Sequence, residues 1–184
     1  MKKITAIASL LAIYTSPVLA DNGASFYAAI ESGVVVLADA GSFPNLRAVS
    51  VIGGYHFSPN VAIEAENFGT YDAQDVAGTG TYVYQQNVTA ISIVGTYPLS
   101  KYFGLFGKLG WDSISTSKTL NAFTGPISNS ATTSNVLYGI GAHYYITSHF
   151  GIRGQYEYLG KSKLDSSAVG ADTFRASLGI FYDF

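Results

Sequence analysis

The segment Phe174-Arg-Ala-Ser-Leu-Gly-Ile-Phe-Tyr-Asp-Phe184 decides how the chain is read. Its even positions, Phe174, Ala176, Leu178, Ile180, Tyr182 and Phe184, are all apolar or aromatic. Arg175, Ser177, Gly179 and Asp183 are charged, polar or small, and Phe181 alone departs from the alternation. Successive side chains of a strand point to opposite faces, so this is a strand with one oily face and one polar face. An oily face that ends on an aromatic suits a lipid interface better than water.

The other end of the chain agrees. Lys2 and Lys3 make a positive start, and Ile4 to Tyr14 form an apolar run. That run is shorter than the roughly 20 residues a helical span needs. Val18-Leu19-Ala20 then offers a small-residue cleavage site, so residues 1–20 are expected to be a cleaved signal peptide. Residues 21–184 remain as one domain. Without Lys2 and Lys3, eight basic side chains face twelve acidic ones, a charge of −4 with no basic cluster, which argues against nucleic acid as a partner. There is no cysteine, so disulfides and thiolate metal sites are excluded. Only 12% of residues are charged while 48% are hydrophobic and 14% aromatic. Soluble domains typically carry about 25% charged residues. Low charge without a long apolar helix after residue 20 is what alternating strands in a bilayer produce.

The two-residue period recurs along the chain. Phe26, Ala28 and Ile30 oppose Tyr27, Ala29 and Glu31; Val49, Val51, Tyr55 and Phe57 oppose Ser50, Gly54 and His56. Further strands are expected at about 61–71, 85–99, 102–115, 136–146 and 150–160. Short turns are expected at Ser58-Pro59-Asn60, Pro98 to Lys101 and Thr147-Ser148-His149. Longer loops are expected at Ala38 to Leu46, Thr116 to Asn135 and Lys161 to Ala171, and Asp72 to Tyr84 reads as a loop or a flexible extension of the strands. Short and long connections alternate, which predicts an eight-stranded antiparallel up-and-down transmembrane β-barrel in the outer membrane. Its short turns and both termini would then be periplasmic. Tyr55, Phe57, Tyr97, Phe103, Tyr144, Phe150, Tyr182 and Phe184 gather at the short-turn end, with Tyr71, Trp111, Tyr138, Tyr158 and Phe174 towards the other, as two aromatic girdles require. A soluble sandwich or lipocalin-like barrel would invert the faces, leaving few surface charges and crowding many aromatics into a small core.

Gly53-Gly54-Tyr55 before a proline turn, the run Phe103-Gly-Leu-Phe-Gly-Lys-Leu-Gly110 and the aromatic end resemble the OmpA-like transmembrane barrel family. The terminal Tyr-Asp-Phe also resembles the C-terminal recognition signal of bacterial outer-membrane barrels. That resemblance implies that Phe174, Tyr182 and Phe184 engage the barrel-assembly machinery, and it implies a bilayer and lipopolysaccharide as surroundings, with a monomer as the unit.

The inward charges are the candidate site: Glu31, Glu64, Glu66, Asp112 and Glu157 against Lys108, Arg153 and Arg175. Small barrels fill their interiors with side chains, and isolated charges there are costly, so a paired network is expected. Arg153, Glu157 and Arg175 are expected to touch. The network serves either as a structural plug or as a gate for small ions. His56, His143 and His149 all fall near short turns, and there is no Gly-x-Ser-x-Gly elbow or His-Glu-x-x-His pair. No enzyme, cofactor or metal is expected, a lipid-modifying hydrolase being the third reading after envelope support and a narrow pore. Surface contacts with host or phage would fall to the loops, where Phe43, Phe123, Lys161, Lys163 and Asp165 stand out.

Overall fold

The computed structural model describes residues 24–38, 45–70, 73–77, 80–122, 125–163 and 170–184. The proposed signal peptide, Phe43, Tyr71, Phe123, Asp165 and the loop positions beside them lie outside the described residues. The alternating segments become β1 (Ser25–Ala38), β2 (Leu46–Ser58), β3 (Val61–Thr70), β4 (Ala73–Ala77), β5 (Gly80–Pro98), β6 (Phe103–Ala122), β7 (Gly125–Tyr145), β8 (Phe150–Ser162) and β9 (Ala171–Asp183). β3 and β4 lie one after the other along β5, so nine segments make eight staves. All pairings are antiparallel between chain neighbours, and β1 pairs with β9 to close the wall.

Barrel geometry follows from the register. Starting at Val36, one hydrogen-bonded row runs Phe174, Tyr158, Tyr138, Leu109, Ile93, Ile63, Tyr55 and arrives at Phe26. The row therefore returns to β1 displaced by ten residues, from 36 to 26. Eight staves with that stagger tilt by about 40°, within the usual range for closed barrels. Every residue of this climbing row is apolar or aromatic and faces outward. It marks the lipid-facing band.

Local chemistry holds the three short turns. Pro59 cannot donate to a ladder, and Asn60 clamps the neighbouring stave, donating its side-chain amide to the Thr96 carbonyl at 2.9 Å. The Ser100 and Thr147 hydroxyls each accept the backbone N–H three residues on, from Phe103 and Phe150, at 3.0 Å.

At Asp72 to Tyr84 the strand-extension alternative holds for the described residues, and the expected loop at Thr116 to Asn135 is corrected. Most of both stretches is ladder: β5 pairs with β6 up to Gly80 and Ala122, and β6 with β7 up to Ala122 and Gly125. Serine and threonine are common in loops, but β-branched threonines and cross-strand hydroxyl pairs also suit a ribbon. β8 carries a bulge between Tyr158 and Lys161, where Gly160 adopts φ 79°. A left-handed residue there is tolerated because glycine lacks Cβ, and the bulge resets the alternation.

Inside, the barrel is filled in layers. At the short-turn end, Tyr27, Ala62, Val94 and Phe106 pack together beside Ala29, Ile52 and Phe181. Towards the long hairpins, Phe68, Val88, Ile114, Leu137 and Leu159 close a larger apolar cluster. A Cβ on Gly141 would stand 2.6 Å from the Gly154 carbonyl oxygen and closer still to the Phe106 ring, so glycine makes room for that ring.

Candidate functional site

Between the two apolar layers lies the charged one. Glu31 comes from β1, Glu64 and Glu66 from β3, Lys108 from β6, Arg153 and Glu157 from β8, and Arg175 from β9, each at an inward position of its strand and each buried. Alternation alone puts them on one face; closure of the wall makes them meet across the axis. Lys108 Nζ sits 2.9 Å from Glu64, 3.2 Å from Glu66 and 2.8 Å from Glu157. Arg153 reaches Glu31 at 2.9 Å and Glu64 at 2.7 Å. Arg175 pairs with Glu66 at 2.5 Å and with Glu157.

Every oxygen of these four carboxylates lies within ion-pair distance of a cation or accepts a hydrogen bond. The remaining positions are met by neutral groups: the Tyr27 hydroxyl donates to Glu64 at 2.5 Å, and Gln155 and Ser177 donate to Glu31 at 2.8 and 2.5 Å. The two guanidinium planes also lie over rings, Arg153 over Phe106 at 4.8 Å and Arg175 over Phe68 at 4.4 Å. Such contacts favour arginine, whose planar, weakly hydrated head stacks while it binds carboxylates. A buried charge left single costs several kcal/mol, so completeness is what makes this layer tolerable.

Two expectations need correction. Arg153 does not touch Glu157: four residues along one strand separate them by about 13 Å, and Arg153 crosses the lumen instead. Arg175 does meet Glu157, its direct partner in the β8–β9 register. Asp112 is buried but stands outside the network, accepting from the Asn135 side chain at 3.2 Å. Tyr27, Gln155, Ser177, Phe68 and Phe106 belong to the layer although only charges stand out in the sequence. Their signal is the shared inward phase, for example Tyr27 four residues before Glu31.

A cavity of about 160 Å³ opens at the short-turn end, walled by His56, His143, Tyr145 and Asp183, with Glu64 and Arg153 among its lining groups. Tyr145 donates to Asp183 at 2.5 Å, and His56 lies 3.7 Å from the same carboxylate. His149 sits in the exposed turn, its ring stacked on Tyr182. No three His, Asp or Glu side chains converge as a metal site among the described residues.

Outside, Phe57, Tyr97, Phe103, Tyr144, Tyr182 and Phe184 are exposed at the short-turn end, with Tyr55 and Phe150 half-buried. Trp111 and Tyr138 are exposed further up, and Tyr158 is half-buried between Tyr138 and Phe174, with ring centroids 5.1 Å from each.

A closed antiparallel barrel with an apolar outer band and an ion-paired interior defines an outer-membrane barrel. The chain belongs to the outer membrane protein beta-barrel domain family, whose profile matches residues 5–184. Among solved structures, it is similar to Ail, the attachment invasion locus protein of Yersinia pestis, with 18% identity and a TM-score of 0.59 over 89% of this chain and 100% of that one. Neisserial surface protein A matches at 11% identity and a TM-score of 0.61, covering 89% and 98%. A major outer membrane protein from Thermus thermophilus matches at 12% identity and a TM-score of 0.62, covering 89% and 100%. No curated protein matches the chain.

Proposed function

We propose that this chain is a non-enzymatic outer-membrane protein that supports the envelope and presents its long hairpins for surface interactions. The observation that carries this reading is the filled lumen, an ion-paired layer held between two apolar ones. A plugged stave wall is a rigid platform, and binding residues concentrate on loops held by such scaffolds. In this reading residues 1–20 are removed on export and the short turns and both termini face the periplasm. The unit is a monomer delivered by the barrel-assembly machinery through Phe174, Tyr182 and Phe184. Ail has been crystallised with the heparin analogue sucrose octasulfate, which directs the first binding assays here to glycans.

A narrow pore is the second reading, favoured by Lys108, which lies within 3.4 Å of four acceptors and could exchange partners. Conductance in a planar bilayer separates the two, after heat-modifiable migration has shown that the protein is folded. Silence is expected. Discrete channels altered by Arg153→Ala would replace the plug with a gate.

A further inference from the structure

The short-turn end of the lumen is built differently from the packed layers above it. The side chains there leave a cavity of about 160 Å³, space for on the order of ten water molecules. Rings make up most of its wall. Tyr27, His56, Phe106, His143, Tyr145 and Phe181 all line it. They brace one another: the Tyr27 and His56 centroids lie 4.6 Å apart, Tyr145 meets Phe181 edge to face at 4.9 Å, and His143 packs against Tyr145 at 5.4 Å. The face of a tyrosine or phenylalanine ring is its negative side, so a ring-lined space favours a cation over a neutral molecule of the same shape.

One carboxylate among these rings is incompletely bonded. Asp183 Oδ2 accepts from the Tyr145 hydroxyl at 2.5 Å, whereas Oδ1 is buried and accepts no hydrogen bond among the described residues. His56 Nε2, at 3.7 Å, is too distant to donate to it. A buried carboxylate oxygen left without a donor is costly, and an N–H brought into the cavity would relieve it. The charge of the neighbouring layer points the same way. Four carboxylates, Glu31, Glu64, Glu66 and Glu157, meet three cations, Lys108, Arg153 and Arg175, so the ionised layer carries one surplus negative charge. Arg153, the cation of that layer that reaches the cavity, is already bound by Glu31 and Glu64. Lys101 is exposed in its turn and lies over the Tyr102 ring at 5.3 Å. An anion in the cavity would be opposed by Asp183 and by the surplus charge; a cation is attracted by both.

We propose that this cavity binds a small primary amine in its ammonium form. The ammonium donates to Asp183 Oδ1, and its short alkyl part packs against the rings. A quaternary ammonium lacks the N–H that Oδ1 calls for. The exposed turn residues Pro59, Ser100 and Lys101 also line the cavity, so it opens to water at the short turns. The site lies at the opposite end of the barrel from the long hairpins and is independent of what they bind and of whether the lumen conducts.

The test uses isotope-labelled protein refolded in maltoside micelles, which carry no amine. Amide NMR spectra are recorded at neutral pH while n-butylammonium chloride is added. Saturable shifts are expected at His56, Tyr145 and Asp183 and not in the long hairpins. The neutral analogue 1-butanol should need about tenfold higher concentration for the same shifts, and butyrate should leave them unchanged. Asp183→Asn still offers an oxygen to Tyr145 but loses the charge, and should weaken butylammonium binding about tenfold. Should that variant fold poorly, the wild-type comparison of butylammonium with 1-butanol decides alone. Equal affinity for 1-butanol, tighter binding of butyrate, unchanged binding in Asp183→Asn, or shifts that never saturate would each overturn the site. Occupation in phosphatidylethanolamine bilayers without added amine would overturn a free amine as the occupant and assign the cavity to a lipid headgroup.

Discussion

The lumen and the outer face of the β5–β6–β7 ribbon are both polar, and they solve opposite problems. In the lumen, side chains are buried, and polarity is concentrated into full charges whose partners come from β1, β3, β6, β8 and β9. On the ribbon, water and headgroups are available, so polarity is spread over neutral hydroxyls paired only with the adjacent strand. The difference teaches where a change will be felt. A lumen substitution strands a charge and loosens the whole barrel, whereas a ribbon substitution leaves the barrel intact and alters what the surface meets.

The largest effect is expected from Arg175→Ala. It would leave Glu66 and Glu157 with Lys108 as their remaining cation, which already serves Glu64, and should cost about 3–5 kcal/mol. Urea titration of the refolded protein measures this; a loss under about 1 kcal/mol would mean that the two carboxylates do not depend on Arg175. Arg153→Ala should cost somewhat less, about 2–4 kcal/mol, because Tyr27, Gln155 and Ser177 continue to donate to Glu64 and Glu31. If Arg153→Ala proves costlier than Arg175→Ala, the neutral donors are not the support assigned to them.

Gly179→Ala comes next. A methyl there would stand 2.6 Å from Glu31 Cα and 2.7 Å from its Cγ, so the strand must shift, at about 1–3 kcal/mol. A thermal scan that matches wild type would show that β1 and β9 can part without cost. Asn135→Ala removes the hydrogen bond to Asp112 at the edge of the filled interior and should cost about 1 kcal/mol, readable by the same urea titration. Substitution of the Ser115–Thr132 pair by valines is expected to be the mildest, within about 0.5 kcal/mol in plain vesicles, as for exposed positions away from the core. A loss comparable to that of a lumen arginine would erase the contrast between the two regions.

Much of the fold was legible. The period-two alternation, the three short turns at Pro59, Leu99 and Thr147, and the outward aromatics all appear at their expected places because each depends on neighbours within a few residues. The segments 116–122 and 125–135 depart from expectation for the same reason: serine and threonine are compatible with loop or ladder, and only the partner strand decides between them. The apolar inward cluster of Phe68, Val88, Ile114 and Leu137 carries no such signal, since a hydrophobic side chain suits either the lipid face or the packed interior.

By itself the sequence determined which side chains face in, which face out, and that eight charges share the interior, because a strand's pleat is a local property. Only the tertiary structure decided who meets whom. The ten-residue stagger sets which inward residues share a level, and it brings Arg153 to Glu31 and Glu64 across the lumen while leaving Glu157, on its own strand, to Lys108 and Arg175. Pairing of β5, β6 and β7 also aligned their outward hydroxyls, a juxtaposition that register creates and no single strand contains.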